Sequence, residues 1–413
     1  MSFQQGLSGL NAAARNLDVI GNNVANANTV GAKGSRAEFA DIYATSLYGA
    51  GMNQNGIGVT VAAITQQFTQ GDIATTNSAL DMAINGRGFF RMSNGGEVTY
   101  TRNGQFQLDR DGYLVNAQGA RLTGYAADAT GRVTIGVPGE LRLQTGDVAP
   151  KATTSGSVRL NLDGRAANAD PARPFSLADG TSYSGATSLA VYDSQGAEHT
   201  VAVYFRKAAD NEWHAYLAAD GQRIDADPAD PDVPAAVFRF GADGRLTTAS
   251  DRALTVDVPV PVGVGGTLSV PFDLSNITQF GSPFSVSELS QDGYAAGRLA
   301  GFSIASDGTV ISRYTNGQTL AQGRVVLANF TNPQGLQPLG GNQWAETAES
   351  GAPMTGSPGA GSLGAIQSGA LEQSSVDLTA ELVNMITAQR VYQANAQTIR
   401  TQDQVMQTVV NLR

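Results

Sequence analysis

Residues 375–413 read SVDLTAELVNMITAQRVYQANAQTIRTQDQVMQTVVNLR, a stretch without a glycine or a proline. Within it Leu378, Leu382, Met385, Gln389, Tyr392, Ala396, Ile399, Asp403, Met406 and Val410 recur at spacings of four and three. That is the period of a seam along a long α-helix, as in a coiled coil. At 1.5 Å per residue the helix would run roughly 55–60 Å. Ser374 and Asp377 just before it suggest a capping box. The opposite end of the chain carries the same pattern in Phe3, Leu7, Leu10, Ala14, Leu17, Gly21 and Val24. It closes in an Asn-rich run, Asn22, Asn23, Asn26 and Asn28, followed by Thr29 and Gly31, where Asn and Gly tolerate the left-handed conformation that ends a helix.

The two seams are natural partners for each other, as an antiparallel or staggered pair. Val383, Ile386, Val405, Val409 and Leu412 fall beside the C-terminal seam. They leave an apolar flank for other copies of the chain, unless the β domains of the same chain cover it. The polar face is also unusual. Gln393, Gln397, Gln404 and their Thr neighbours stand where a solvated helix usually carries Glu and Lys. Such a face suits a channel lining, a close polar contact, or a merely Gln-rich surface.

Working inward, the chain stops being helical. Residues 105–115 alternate around Asp109-Arg110-Asp111-Gly112, and 188–192 and 200–205 flank Asp193-Ser194-Gln195-Gly196, both hairpin signals. Asp243-Gly244 and Asp307-Gly308 mark two more turns. Strands do not alternate with helices, which argues against a parallel α/β sheet. The expected fold is mainly β with long α-helical termini. Composition breaks at 148–156, 280–284 and 351–364 divide it. The expected parts are a terminal helical assembly domain (1–30 with 371–413), a connecting segment (31–70 with 355–370), an inner β domain (71–146 with 285–354) and an inserted outer β domain (147–284).

Composition narrows the function classes. Charged residues are only 15% and glycines number 49, so much of the surface is small and uncharged. The net charge of −10 disfavours nucleic acid, which wants a basic face. Residues 147–273 hold 17 acids against 10 bases, a net of −7, so the middle reads as a well-solvated outer part. Cysteine is absent, which removes disulfides, thiolate metal sites and thiol nucleophiles together. No segment is long and apolar enough for a bilayer helix, and no apolar run longer than Ala12–Ala14 precedes Arg15, so no cleaved signal is expected. His199 and His214 lack metal-ligand company. Gly86-Arg87-Gly88 continues as Phe89-Phe90-Arg91, not as a dinucleotide fingerprint, and Gly31-Ala32-Lys33-Gly34-Ser35 only echoes a phosphate loop. The acidic run Asp225, Asp227, Asp230 and Asp232 has Ala229 where a calcium loop wants a ligand, so a solvated loop is expected. No catalytic, cofactor-binding or metal residue is assigned. A secreted carbohydrate-acting enzyme and a binding module on a helical stalk are the rival classes.

The same stretches carry a family likeness. Residues 17–31, LDVIGNNVANANTVG, with Lys33 and 35–41 beyond them, resemble the signature of the axial flagellar proteins of rod and hook. Ala32 departs from the aromatic residue common in that family. At the other end 371–378, 381–386, 389–395 and 401–404 resemble the family's terminal helix. Residues 83–90 and 100–106 look like its first β domain. In the middle, 188–196 with Tyr204, Phe205 and Trp213 resemble the outer domain of the hook branch. The resemblance implies a structural subunit, not an enzyme, that polymerises into a curved, flexible tubular joint carrying motor torque from rod to filament. A distal rod or other axial subunit is the alternative. The implied partners are further copies of the chain, the distal rod protein, the hook cap, the hook–filament junction protein and the flagellar type III export apparatus, with no nucleic acid, no membrane insertion and no cofactor.

Overall fold

The computed structural model describes residues 2–43, 56–224, 233–260 and 266–411. The fold is mainly β, with one α-helix at each end: α1 spans Ser2–Ala25 and α2 spans Leu378–Asn411. The acidic run at 225–232 lies outside the described residues. Two compact units are present, one from Met1–Thr145, Ala300–Arg313 and Thr319–Arg413, the other from Gly146–Leu299 and Tyr314–Gln318.

In the first unit, α1 ends as its asparagines suggest. Asn26 donates its backbone N–H to Asn22 O at 3.1 Å, and Gly31 then turns the chain at φ +68°. A Cβ at Gly31 would sit 2.6 Å from Asn103 N, so the position also demands close backbone approach. A hairpin follows, β1 (Ser35–Tyr43) antiparallel to β2 (Gly56–Gln66). The start of α2 differs from the expected box. Asp377 alone caps the helix, accepting N–H bonds from Thr379 at 2.8 Å and Ala380 at 3.2 Å, whereas Ser374 Oγ accepts from Val376.

The body of this unit is an antiparallel sheet in which Thr319–Val325, Arg121–Ala126, Phe89–Asn94, Glu97–Thr101 and Gln343–Ala345 are successive neighbours. One side buries Met82, Ile84, Phe90, Met92, Leu114 and Leu122, all fully enclosed. The other holds edge-to-face aromatics: Phe68, Phe89 and Trp344 meet at 5.4–5.7 Å, and Trp344 Nε1 donates to Gln66 Oε1 at 2.6 Å.

The second unit is two sheets sharing one core. Gly156–Asp163 lies among Thr267–Asp273, Thr278–Phe280 and Ser285–Gln291, and its pairings with Thr267–Asp273 and Thr278–Phe280 are parallel. The other sheet orders Gly185–Tyr192, Glu198–Ala209 and Glu212–Ala219. Trp213, Phe205 and Phe238 from it meet Leu160, Val256 and Val270 from the first, the sandwich arrangement of two half-apolar sheets. The Asp193 turn forms as read, its carboxylate accepting from the amides of Gln195 and Ala197 at 2.8 Å. One boundary moves. The composition break at 280–284 does not return the chain to the first unit, because Ser285–Gln291 pairs with Gly156–Asp163; the return comes at Ala300.

Asp292 clamps the entry of this unit to its exit. Its carboxylate accepts from the Thr154 amide (2.8 Å), Thr154 Oγ1 (2.6 Å), the Ser155 amide (3.0 Å) and Lys151 Nζ (2.9 Å). Partial burial opposes its charge, but these donors outweigh that and hold the carboxyl far below the usual carboxylate range. Asp163, Asp220 and Asp273 are also held low, by hydrogen bonds from Arg165, His199 and Ser275. A carboxylate with a depressed folded-state pKa contributes stability that is complete above the unfolded value, 3.8 here, and is lost as pH falls through the folded one. This unit should therefore lose resistance to urea below about pH 4. Trp213 is its only tryptophan, so its emission in a Trp344→Phe background reports the transition. Asp292→Asn should lower the midpoint at pH 6 and flatten its decline toward pH 3. An unchanged slope would remove Asp292 from the acid response.

Candidate assembly surface

The terminal helices pack antiparallel. A Cβ built on Gly6 would lie 3.1 Å from Ile399 Cγ1, one on Gly9 would meet the Asn395 amide at 2.9 Å, and at the far end Asn23 Nδ2 donates to Glu381 Oε1 at 3.1 Å. The seam between them is not the pair of large-residue stripes. On α1 it follows Gly6, Gly9, Ala13, Asn16, Ile20 and Asn23, one residue ahead of the stripe and so about 100° around the helix. On α2 it follows Glu381, Ala388, Asn395, Ile399 and Gln402, displaced the same way at most positions. The expectation that the stripes face each other is corrected on this point. Glycine and alanine let the backbones approach closely, and bulkier stripes would hold them apart.

Apart from Ile399, the stripes are consequently left out of the seam. Phe3 and Leu7 are exposed, and Leu10, Leu17 and Val24 are half-buried. On α2, Leu378, Leu382, Tyr392, Met406 and Val410 are exposed, as are Val383, Ile386, Val391 and Val405 beside them, while Met385 and Ile399 are half-buried. The side chains of Val409 and Leu412 lie outside the described residues. Gln393, Gln397 and Gln404 are exposed.

The asparagine motif closes the base of the helix pair. Asn23 is buried and binds the Ser35 backbone both ways, Nδ2 to Ser35 O and Ser35 N–H to Oδ1, each at 2.8 Å, besides reaching Glu381. Asn26 Nδ2 donates to Asn22 O, and Thr29 Oγ1 meets Asn26 Oδ1. Asn22 and Asn28 are exposed. Further along α1, Gln5 Nε2 donates to Gly56 O at 2.6 Å and the Val59 amide to Ser8 Oγ at 3.3 Å, which fastens β2 alongside.

Below this junction lies a buried ion triad that sequence reading missed. Glu372, with no exposed side-chain surface, binds Lys33 Nζ at 2.6 Å through Oε1 and Arg102 Nη1 at 3.1 Å through Oε2. Lys33 also donates to Thr69 O, Arg102 to Gly86 O and Ile84 O, and the Gly71 amide to Glu372 Oε1. Burial pushes both cations below their ordinary pKa values, against the pull of Glu372. The triad ties the stretch after α1, the sheet and the stretch before α2 into one knot. Its sequence signal was three isolated charges, each inside a stretch that carried the family likeness.

Among the described residues no group of three metal-ligating side chains converges, and no helix is long and apolar enough to cross a membrane. His199 Nδ1 lies 2.8 Å from Asp220 and His214 Nε2 lies 3.4 Å from Glu212, both as strand side chains.

Comparison with known proteins agrees along the whole chain. Family models match residues 3–33 (flagella basal body rod protein), 83–164 (flagellar hook protein FlgE/F/G D1 domain), 161–294 (flagellar basal body protein FlaE D2 domain) and 367–412 (flagellar basal body rod FlgEFG protein C-terminal). The flagellar hook protein FlgE of Salmonella typhimurium is 44% identical over 421 residues, covering 100% of both chains, and that of Escherichia coli K12 is 43% identical over 428 with the same coverage. The solved Helicobacter pylori flagellar hook protein FlgE2 shares the fold, with a TM-score of 0.52 at 15% identity over 73% of this chain and 100% of its own. With both ends and both β units matched in order, the chain belongs to the flagellar hook protein family and is a structural subunit of the bacterial flagellar hook.

Proposed function

We propose that the chain assembles through its terminal helices into an open, curved tube that bends while carrying torque. The observation behind this reading is the exposure, among the described residues, of eleven large apolar side chains on α1 and α2, from Phe3 and Leu7 to Met406 and Val410. A lone chain leaves them in water, whereas neighbouring copies would bury them, each Leu-sized side chain contributing roughly 1.5–3 kcal/mol. The helices act as coiled-coil-like cohesive elements, and the stripes Phe3, Leu7, Leu10, Leu17 and Val24, with Leu378, Leu382, Met385, Tyr392, Met406 and Val410, form the lasting contacts between subunits, while Ile399 packs within the chain against Gly6. Gln393, Gln397 and Gln404 face a polar contact or the channel. The β unit of Gly146–Leu299 is an insert on the outside, and its polar surface slides against neighbours as the tube bends.

The proposed partners are those of an axial subunit: further copies, the distal rod protein at one end, the cap at the growing tip, the hook–filament junction protein, and the type III export apparatus. The role is mechanical and involves no catalysis. Removing residues 2–25 and 378–413 together should leave both β units folded, with negligible tube formation by electron microscopy. Tubes of normal frequency from that truncated chain would overturn the proposal.

A further inference from the structure

Glycine follows asparagine at Asn55, Asn85, Asn94, Asn103 and Asn316. Such a step is chemically weak, because a glycine leaves its own amide nitrogen unshielded beside the asparagine side chain. Asn55 lies outside the described residues, and the fold treats the other four unequally. Three are held. The nitrogen that would attack Asn85 is that of Gly86, whose N–H donates to Gln70 Oε1 at 2.9 Å, and Asn85 itself pairs with Ala365. Asn103 Oδ1 accepts the Gln105 amide at 2.9 Å, and Gly104 is pressed so closely on Met82 that a Cβ there would overlap Met82 O. Asn316 is bound at both ends of its amide, Nδ2 donating to Ala295 O at 2.7 Å and Oδ1 accepting the Gln318 N–H at 3.1 Å.

Asn94 is different. It ends the strand Phe89–Asn94 and stands opposite Glu97 across the two-residue turn Gly95-Gly96. Both turn glycines have positive φ, +61° and +102°, and a Cβ on either would meet nothing within 4 Å. Asn94, Gly95, Gly96 and Glu97 are all exposed. Neither the Asn94 side chain nor the Gly95 amide has a hydrogen-bond partner among the described residues.

We propose that Asn94 is a site of spontaneous deamidation, at which the chain acquires an aspartate or an isoaspartate with age. The Gly95 nitrogen, once its proton has passed to hydroxide, attacks Asn94 Cγ. A Cγ–N bond forms, the bond to Nδ2 breaks, and ammonia leaves with a proton from water. Water then opens the cyclic imide at one of its two carbonyls. Opening at Cγ gives aspartate, and opening at the main-chain carbonyl gives isoaspartate. Closing the ring requires Asn94 to leave its extended conformation. That opens only the last pair of a hairpin, the local fraying that costs least, whereas the same motion at Asn85, Asn103 or Asn316 breaks the bonds that hold them. The product places a carboxylate opposite Glu97, a like-charge pair at the tip. Isoaspartate also lengthens the main chain by one carbon. Older copies therefore carry a more acidic hairpin tip than new ones, whether or not they are assembled.

The test is to age the full folded chain in mildly alkaline buffer, digest it under mildly acidic conditions, and sequence the peptides by mass spectrometry. Electron-transfer fragmentation tells aspartate from isoaspartate. Asn94 should convert roughly tenfold or more faster than Asn85, Asn103 and Asn316, with both products present. In concentrated urea the four rates should draw together, because the dipeptide is the same and only the fold separates them. Equal rates at the four in the folded chain, or a faster one at Asn85, Asn103 or Asn316, would overturn the inference. So would a lead of Asn94 that persists undiminished in urea, which would trace the selectivity to neighbouring sequence instead of structure.

Discussion

Glu372→Gln is expected to destabilise the first unit by about 3–5 kcal/mol, the usual cost of removing one partner from a buried ion pair. The substitution keeps the shape of the side chain and removes only its charge. Two cations would then face each other without an anion, in a site where Lys33 and Glu372 have no exposed side-chain surface and Arg102 has 4%. Arg102 cannot shed its proton, but Lys33 can, and burial already lowers its pKa. The variant should therefore keep a neutral Lys33 over part of the alkaline range. In that window the unfolded chain, with its lysine near 10.5, binds more protons than the folded one, so stability rises with pH. The deficit should be largest near neutrality and shrink toward pH 10. Urea unfolding followed by Trp344 emission in a Trp213→Phe background measures it, and a thermal scan should show a drop of about 10 °C. A loss below about 1 kcal/mol would mean that water reaches the triad and screens it. Lys33→Met combined with Glu372→Gln is a useful control. It leaves one uncompensated charge where the single variant leaves two, and should recover part of the loss.

The triad also shows where the sequence stopped being legible. Lys33 and Glu372 are 339 residues apart and Arg102 and Glu372 are 270 apart, so no local pattern links them. Local features were readable because their causes are local. The Asp193 and Asp109 turns form through side-chain bonds to amides two and four residues on. The helices were readable from their period and their lack of glycine or proline near the C-terminus. Their packing face was not, because hydropathy registers large residues and passes over Gly6, Gly9 and Ala13. The seam was one residue away, at a small-residue line that periodicity alone does not distinguish from a polar one. The boundary at 280–284 failed for a related reason. A composition break marks a loop, and whether Ser285–Gln291 belongs before or after it depends on a partner strand more than a hundred residues earlier.

Leu382→Asp with Ile386→Asp should leave the monomer's stability almost unchanged and raise the critical concentration for assembly about a thousandfold or more. Both side chains are about half exposed in the single chain, at 45% and 53%, so folding gains little from either. Exposed substitutions of this kind usually change stability by no more than about 0.5 kcal/mol. In a tube the balance reverses. Each position loses roughly 1.5–3 kcal/mol of burial, and an uncompensated carboxylate adds a desolvation penalty. Even about 4 kcal/mol across the two sites amounts to about three decades in an association constant. Sedimentation of the variant over a range of concentrations, beside urea unfolding of its monomer, separates the two effects. Equal losses in both would mean that α2 uses this face to hold its own chain together, and the exposed stripe would no longer argue for neighbours. A stable monomer that stays in the supernatant would give the stripe to the interface, because an unchanged fold cannot account for the lost assembly.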